Sequence, residues 1–381
     1  MTARSRRALV WTGRLALLLL GSACFWAVAW TLYNPSVPLA APRIIHRPRR
    51  GPDVTVLLAG DTAPHDKAVP RVRAKGYTYP YSATAELFRQ ADVSFFNLEA
   101  PVTRHPNKFF PYKFYYHQVD PAAVPAWKDL GVDVVSLANN HVKDRRDQGL
   151  LDTLAHLRKA GIEVVGAGAS EPLARRPVIV DVEGTRIGFL AYLQDWWFYN
   201  LYHDLFALQG RPGCARFLRA DVTEDVRRLK PLVDVVVVSV HWGRTYSSVN
   251  PQQRQNAELL ASLGVDVVVG HHNHELQPAE WIGRTLVLYS LGNYAFGSLG
   301  HTSLRAGLLA RLRIQPRTKT ARGRLRSVEL LPIVIQNRIV RFRPRRIRRR
   351  ELPYLNTFLK QSRKAGTRIT IRGTTLEILP K

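Results

Sequence analysis

The sequence predicts an α/β fold behind an N-terminal transmembrane helix, and three observations carry that reading. Valine-rich runs such as VTVLLAGD at 54–61 and VDVVVVSVHWG at 233–243 have the length and composition of strands covered on both faces. Stretches of helical periodicity separate them. Residues 15–33 form a run of nineteen without a charge, about 28 Å at helical rise and close to the thickness of a bilayer core.

Residues 1–34 read as a cytoplasmic basic stub and an anchor. Arg4, Arg6, Arg7 and Arg14 precede the apolar run, and Trp30 and Tyr33 close it in the manner of an interfacial belt. A cleaved signal has the same basic start but a shorter apolar core. GSAC before Phe25 raises lipoprotein processing, yet FWAVAW continues the apolar run beyond Cys24. The expectation is a single-pass protein of the cell membrane with its main domain outside the cytoplasm. Arg43, Arg47, Arg49 and Arg50 follow the span, so charge asymmetry alone does not set the orientation. Residues 35–52, rich in Pro and Arg, read as an extended linker.

The main domain is expected over 53–314. Strand 54–61 leads to a helix over 84–90, then VSFFNLE at 93–99, a helix over 122–130 and VDVVSLANNH at 132–141. Leu150, Leu151, Leu154 and Leu157 share one helical stripe that Gly161 closes. VIVDVEGTRIGFLAYL reads as a hairpin turning at Glu183 and Gly184. Helices over 221–232 and 251–263, the second with Pro251 in its first turn, flank the strand that ends at His241. GVDVVVGHHNHE, TLVLYSLGNY and LRAGLLARLRI supply further strands. Residues 315–381 read as a basic C-terminal extension completing the domain at a sheet edge, with 341–350 as an exposed loop.

Composition narrows the class. Cys24 lies in the apolar run, so Cys214 is the single thiol of the soluble part and no internal disulfide is possible there. The formal net charge is +27, and 311–350 holds fifteen Lys or Arg against one acid, Glu329. No nucleic-acid-binding motif accompanies this charge, and an anchor argues against a genomic partner. Anionic lipid headgroups, a cell-envelope polyanion or a polycarboxylate fit it, as does a merely solvated basic face.

Polar clusters recur at the exits of five apolar strands: Gly60 and Asp61, Asn97 to Glu99, Asn139 to His141, His241 to Gly243, and His271 to His274. In open α/β sheets, ligands bind at those carboxyl ends. Imidazole nitrogen and carboxylate oxygen are ligands of divalent metals, and the mixed N/O set suits Mn, Fe or Zn better than a thiolate site does. On an extended segment His272 and His274 project the same way and His271 elsewhere. The aromatic stretches at 107–117 and 194–202 each suit either substrate contact or packing.

Six ordered motifs, GDT, NLEAPVT, SLANNHVKD, SVHWG, GHHNHELQP and YSLGNYAFG, resemble the CapA family of capsule and poly-gamma-glutamate synthesis proteins, part of the calcineurin-like metallophosphoesterase superfamily. The resemblance implies a four-layer α-β-β-α sandwich with its metal site at the strand ends. It implies metal ligation by Asp61, Glu99, Asn140, His241, His272 and His274. His141 then protonates a leaving group or steadies the transition state, and Asn139 and Asn293 support the ligands from behind. One departure concerns the usual Asp-x-His, which here is Asp61-Thr62-Ala63. Glu99, Asn140, His241 and His272 still complete one shell, whereas Asp61, Glu99 and His274 are left for the other. One ion is therefore expected rather than two, and His65 and Asp66 have the wrong spacing to substitute.

The function implied is capsule or poly-gamma-glutamate biosynthesis or export, through a metal pocket acting on an anionic polymer. The alternatives are a metal-dependent phosphoesterase and a non-catalytic scaffold of a capsule-synthesis complex. Relatives on this fold that work without metal keep an acid/base reading open.

Overall fold

A strand buried on both faces must present apolar side chains alternately to two different cores, and these strands do. In the computed structural model, which describes residues 40–108, 113, 115–196, 204–298 and 305–380, Val54, Val56 and Leu58 enter one cluster while Leu57 and Ala59 enter another. The apolar run at 15–33 and Trp197, Phe198 and Tyr199 lie outside the described residues. Among the described residues no helix is long and apolar enough to cross a membrane.

Two sheets result. One runs Arg43–Arg47, Val178–Val182, Thr185–Gln194, Val235–His241, Val267–His271, Thr285–Leu291, Leu276–Ile282. The other runs Thr370–Arg372, Thr375–Ile378, Arg324–Val334, Ala306–Gln315, Val54–Ala63, Val93–Leu98, Val134–Ser136, Glu163–Val165. Val56, Leu58, Phe95 and Val134 meet Val235, Val237, Val267 and Val269 between the sheets. Phe88, Trp127, Leu150 and Leu157 cover the outer face of the second sheet through Leu57, Phe96 and Val135. Val222, Val226, Ala257 and Leu260 cover the first through Val236, Val238 and Val268. Three separate apolar clusters thus make four layers, helix, sheet, sheet and helix.

Local chemistry explains the element ends. Asn250 caps the Pro251–Ser262 helix, and its side chain and that of Gln253 each bond the other's backbone N–H. The Arg146–Lys159 helix ends before Gly161 at φ +69°. The hairpin turns at Glu183 and Gly184, φ +49° and +88°, as its right-handed strand twist requires.

Three expectations need correction. The linker reading of 35–52 fails at Arg43–Arg47, which forms an edge strand parallel to Val178–Val182. The C-terminal extension does not merely add an edge, because Arg324–Val334 lies inside its sheet and pairs with Ala306–Gln315 over its length. Residues 341–350 are no open loop: Arg345–Arg346 pairs with Arg324–Val334, and Arg345 grips Glu351 with two nitrogens at 2.7 and 2.8 Å. These errors share a cause, since arginine masks strand character when its charge is neutralised by a partner remote in sequence.

Gly270 is no hinge. A Cβ there would lie 1.9 Å from the Tyr289 carbonyl oxygen and 2.4 Å from Trp242 Nε1, whose N–H donates to that same carbonyl at 2.9 Å. Gly270→Ala is expected to destabilise the fold by at least about 2 kcal/mol through overpacking, read as a lower urea midpoint; an unchanged midpoint contradicts this packing account.

Candidate metal centre

Parallel pairing aligns the strand exits. Asp61 lies in register with Asn97 and with Asn293, and His241 with His271, so residues distant along the chain reach one edge. Asp61 is fully buried and fully engaged. It accepts from Asn97 Nδ2 at 2.8 Å and from the His272 backbone N–H at 3.1 Å. His271 Nδ1 lies 3.2 Å from Oδ1 and His274 Nδ1 lies 3.4 Å from Oδ2. Burial raises its pKa, but the two imidazoles outweigh burial and hold it well below the usual carboxylate range.

Glu99 is the opposite case. It too is fully buried, yet neither carboxylate oxygen has a hydrogen-bond partner among the described residues. His241 Nε2 stands 3.7 Å from Oε1, and His141 Nε2 and His274 Nε2 each stand 3.9 Å away. Burial first, and then the charge of Asp61, push Glu99 well above its ordinary pKa. Without a cation the cheaper arrangement places the charges on Asp61 and His274 and the proton on Glu99.

The nitrogen donors are prepared as neutral ligands. Burial, followed by the neighbouring His272, keeps His241 well below its ordinary pKa, and burial brings His272 to about 4. Asn140 Oδ1 lies 2.8 Å from His241 Nε2, and His272 Nδ1 is buried without a partner. His274 differs: burial opposes its charge, but Glu99 and Asp61 prevail and raise it to about 9. Its Nδ1 lies 2.8 Å from Asn293 Oδ1.

His272 and His274 converge on Glu99 by a route other than the extended segment expected. The strand ends at His271, and His272 and His274 adopt φ of +88° and +63°, a strained turn of the kind found at functional sites. His271 does not point away; it contacts Asp61.

His141 is held from behind. Its Nδ1 lies 2.7 Å from Asp144 Oδ2, and Asp144 also takes the Lys113 amine and the His117 N–H, the latter at 2.6 Å. Lys113 also bonds the Asn140 carbonyl at 2.6 Å. Asn139 donates to the Leu98 carbonyl and to Asn97 Oδ1 and accepts from the His141 N–H at 3.1 Å. His117 stacks at 3.7 Å on His141 and at 3.8 Å on His65. His65 therefore belongs to this column and supplies nothing to the groups around Glu99. Phe296, the strand partner of Ala63, faces His274 at 4.9 Å.

Among the described residues, three groups have donor atoms close enough to hold an ion: Glu99, His241 and His272; Asp61, Glu99 and His274; and His117, His141 and Asp144. The first fits best, because it contains the bare carboxylate and the unpartnered His272 nitrogen, whereas Asp61 and Asp144 are already occupied by protein donors. Five neighbours were not among the expected site residues. Asn97 and His271 stand in the strand-exit clusters and Asp144 lies within SLANNHVKD, so these three were legible. Lys113 and His117 carried no signal that periodicity could reveal. Of the aromatic stretches, Trp196 packs against the core of the second sheet, and Lys108 lies 5.4 Å above the Tyr116 ring.

The family model for the bacterial capsule synthesis protein PGA_cap matches residues 55–298. The chain belongs to that family. PGA biosynthesis protein CapA of Bacillus subtilis (strain 168) is 32% identical over 263 residues, 68% of this chain and 66% of that protein. A probable polyglutamine synthesis accessory protein of Mycobacterium tuberculosis (strain ATCC 25618 / H37Rv) is 33% identical over 305 residues, 76% of this chain and 77% of the relative. Capsule biosynthesis protein CapA of Bacillus anthracis is 27% identical over 255 residues, 65% of this chain and 61% of its own. The family motifs are those whose side chains meet around Glu99.

A divalent ion entering here competes with the protons on Glu99 and His274. Uptake of Mn²⁺ is therefore expected to release protons, with affinity rising with pH until His274 is neutral near 9. Calorimetry in buffers of different ionisation heat checks this; affinity flat with pH and no proton release contradicts the assignment of charge.

Proposed function

We propose that this PGA_cap protein is a membrane-anchored, extracytoplasmic component of capsule or polyglutamate synthesis or export, whose divalent-metal pocket acts on an anionic polymer. The observation that carries the pocket is Glu99, a buried carboxylate without a donor, faced by three imidazoles. Removing a carboxylate from water without compensation is costly, and a cation supplies the compensation. Glu99, Asn140, His241 and His272 hold one ion. Asp61, held by Asn97, His271 and His274, orients the turn that carries His272.

When bound, the metal supplies Lewis acidity toward an oxygen of the substrate. The protein supplies the proton handling. His141 is neutral in the buried site, pushed well below its ordinary pKa by burial and then by Lys113. Nδ1–H donates to Asp144, so Nε2 presents a lone pair toward Glu99 and accepts a proton before it can return one. This refines the leaving-group role expected for His141. The +27 chain charge draws a polyanion toward the protein at long range.

Phosphoester hydrolysis is the second reading, favoured by the Asp144-held His141 beside the Glu99 group. Metal analysis of the detergent-purified full chain is expected to find about one equivalent of Mn, Fe or Zn per protein. His241→Ala is expected to lose nine-tenths or more of it. Metal-free wild-type protein, together with undiminished capsule output from a His272→Ala strain, would replace this reading with the scaffold one.

A further inference from the structure

A cavity opens between the two sheets at the end where their parallel strands begin, opposite the strand exits that meet at Glu99. Asp53 and Asp266, which directly precede Val54–Ala63 and Val267–His271, stand in its wall with Trp281, Arg284, Arg324 and Arg326. Asp61 follows Asp53 along one strand, and the separation is roughly 26 Å at strand rise. A small occupant of this cavity therefore touches none of the groups around Glu99. The volume of about 740 Å³ is that of a small-molecule site rather than an ion site.

The charges of the wall are unequal, for three guanidiniums stand against two carboxylates and leave an excess of one positive charge. Both acids are already engaged: Asp53 accepts from Arg326 at 3.1 Å, and Asp266 from the Val236 N–H at 2.8 Å. What stays unengaged is a set of donors. Arg284 makes no hydrogen bond or ion pair among the described residues, and Arg324 uses only Nε, on Gln315 Oε1 at 2.9 Å. Trp281 is 6% exposed, and its indole N–H has no acceptor among the described residues. A buried donor left unpaired costs free energy, which an incoming oxygen offsets. Pro316 and Leu325 join the Trp281 ring in an apolar part of the same wall.

We infer that this cavity is a binding site for a small organic carboxylate, its oxygens held by Arg284 and Arg324 and its apolar body lying against Pro316, Leu325 and Trp281. A guanidinium offers paired N–H donors that match the two oxygens of a carboxylate. The single excess charge selects a monoanion, because a phosphate dianion would be repelled by Asp53 and Asp266 in the same wall. Neither the metal nor the residues of the Glu99 site enter this inference.

Equilibrium dialysis of benzoate against the full chain in detergent tests this, with EDTA present so that no ion at the Glu99 site takes part and protein-free micelles as the blank. Benzamide has the same shape without the charge, and inorganic phosphate supplies the dianion. About one equivalent of benzoate is expected to bind saturably, about tenfold more tightly than either comparison molecule. Arg284→Gln and Arg324→Gln, both at exposed positions, are each expected to weaken benzoate by about tenfold at the wild-type melting temperature. Arg158→Gln, on the exposed side of the Arg146–Lys159 helix, controls for the loss of one charge and is expected to bind as wild type does. No saturable uptake by the wild-type protein overturns the inference, as does wild-type affinity in both cavity variants or equal weakening by Arg158→Gln. Phosphate bound more tightly than benzoate overturns the assignment to a carboxylate.

Discussion

The structure is organised around one electrostatic imbalance: a carboxyl group, Glu99, buried at the meeting point of five strand exits with imidazole nitrogens around it and, among the described residues, no hydrogen-bond partner for either oxygen. Such a group is tolerated only when the surrounding frame is too rigid to collapse onto it or to admit water. Two sheets with apolar clusters between and outside them provide that frame. Gly60 and Gly270 show how closely it is packed, for a Cβ at either would lie 1.9 Å from a backbone oxygen, of Gly292 and of Tyr289 respectively.

The two acids divide the labour. Asp61 is surrounded by donors and carries its charge on the protein's behalf, positioning His271, His274 and the His272 backbone. Glu99 is left bare. Ala63 and Phe296 accentuate the difference, placing apolar side chains beside Asp61 and His274. The stacked column of His65, His117 and His141 lies alongside, its members kept neutral chiefly by burial.

Much of the basic density of 311–350 serves the fold. Arg311 and Arg313 share Glu329, Arg317 meets Asp234, Arg326 meets Asp53, and Arg322 binds backbone carbonyls at 230–233. Aspartates at the strand starts are therefore tied by arginines from the C-terminal segment. The helix Asn356–Lys364 seals the edge strand Leu276–Ile282, where Ser362 and Thr367 bond both polar groups of Ala279. The C-terminal segment belongs to the same body as the Glu99 site.

The strands, their order of alternation with helices and the residues of the centre were legible because they are local properties: apolar runs, caps and polar residues placed where those runs end. Even the pairing of Glu99 with His241 and His272 on one side, and with Asp61 and His274 on the other, emerged once family motifs aligned the positions. What required the tertiary structure was every property that depends on a partner remote in sequence. The left-handed turn at His272 and His274, the occupation of His271 by Asp61, the support of His141 by Lys113 and His117, and the strand hidden among arginines are all of this kind. A sequence specifies which groups a residue can bond; only the folded chain decides which of them lies within three ångströms, and protonation and ligand strength follow from that.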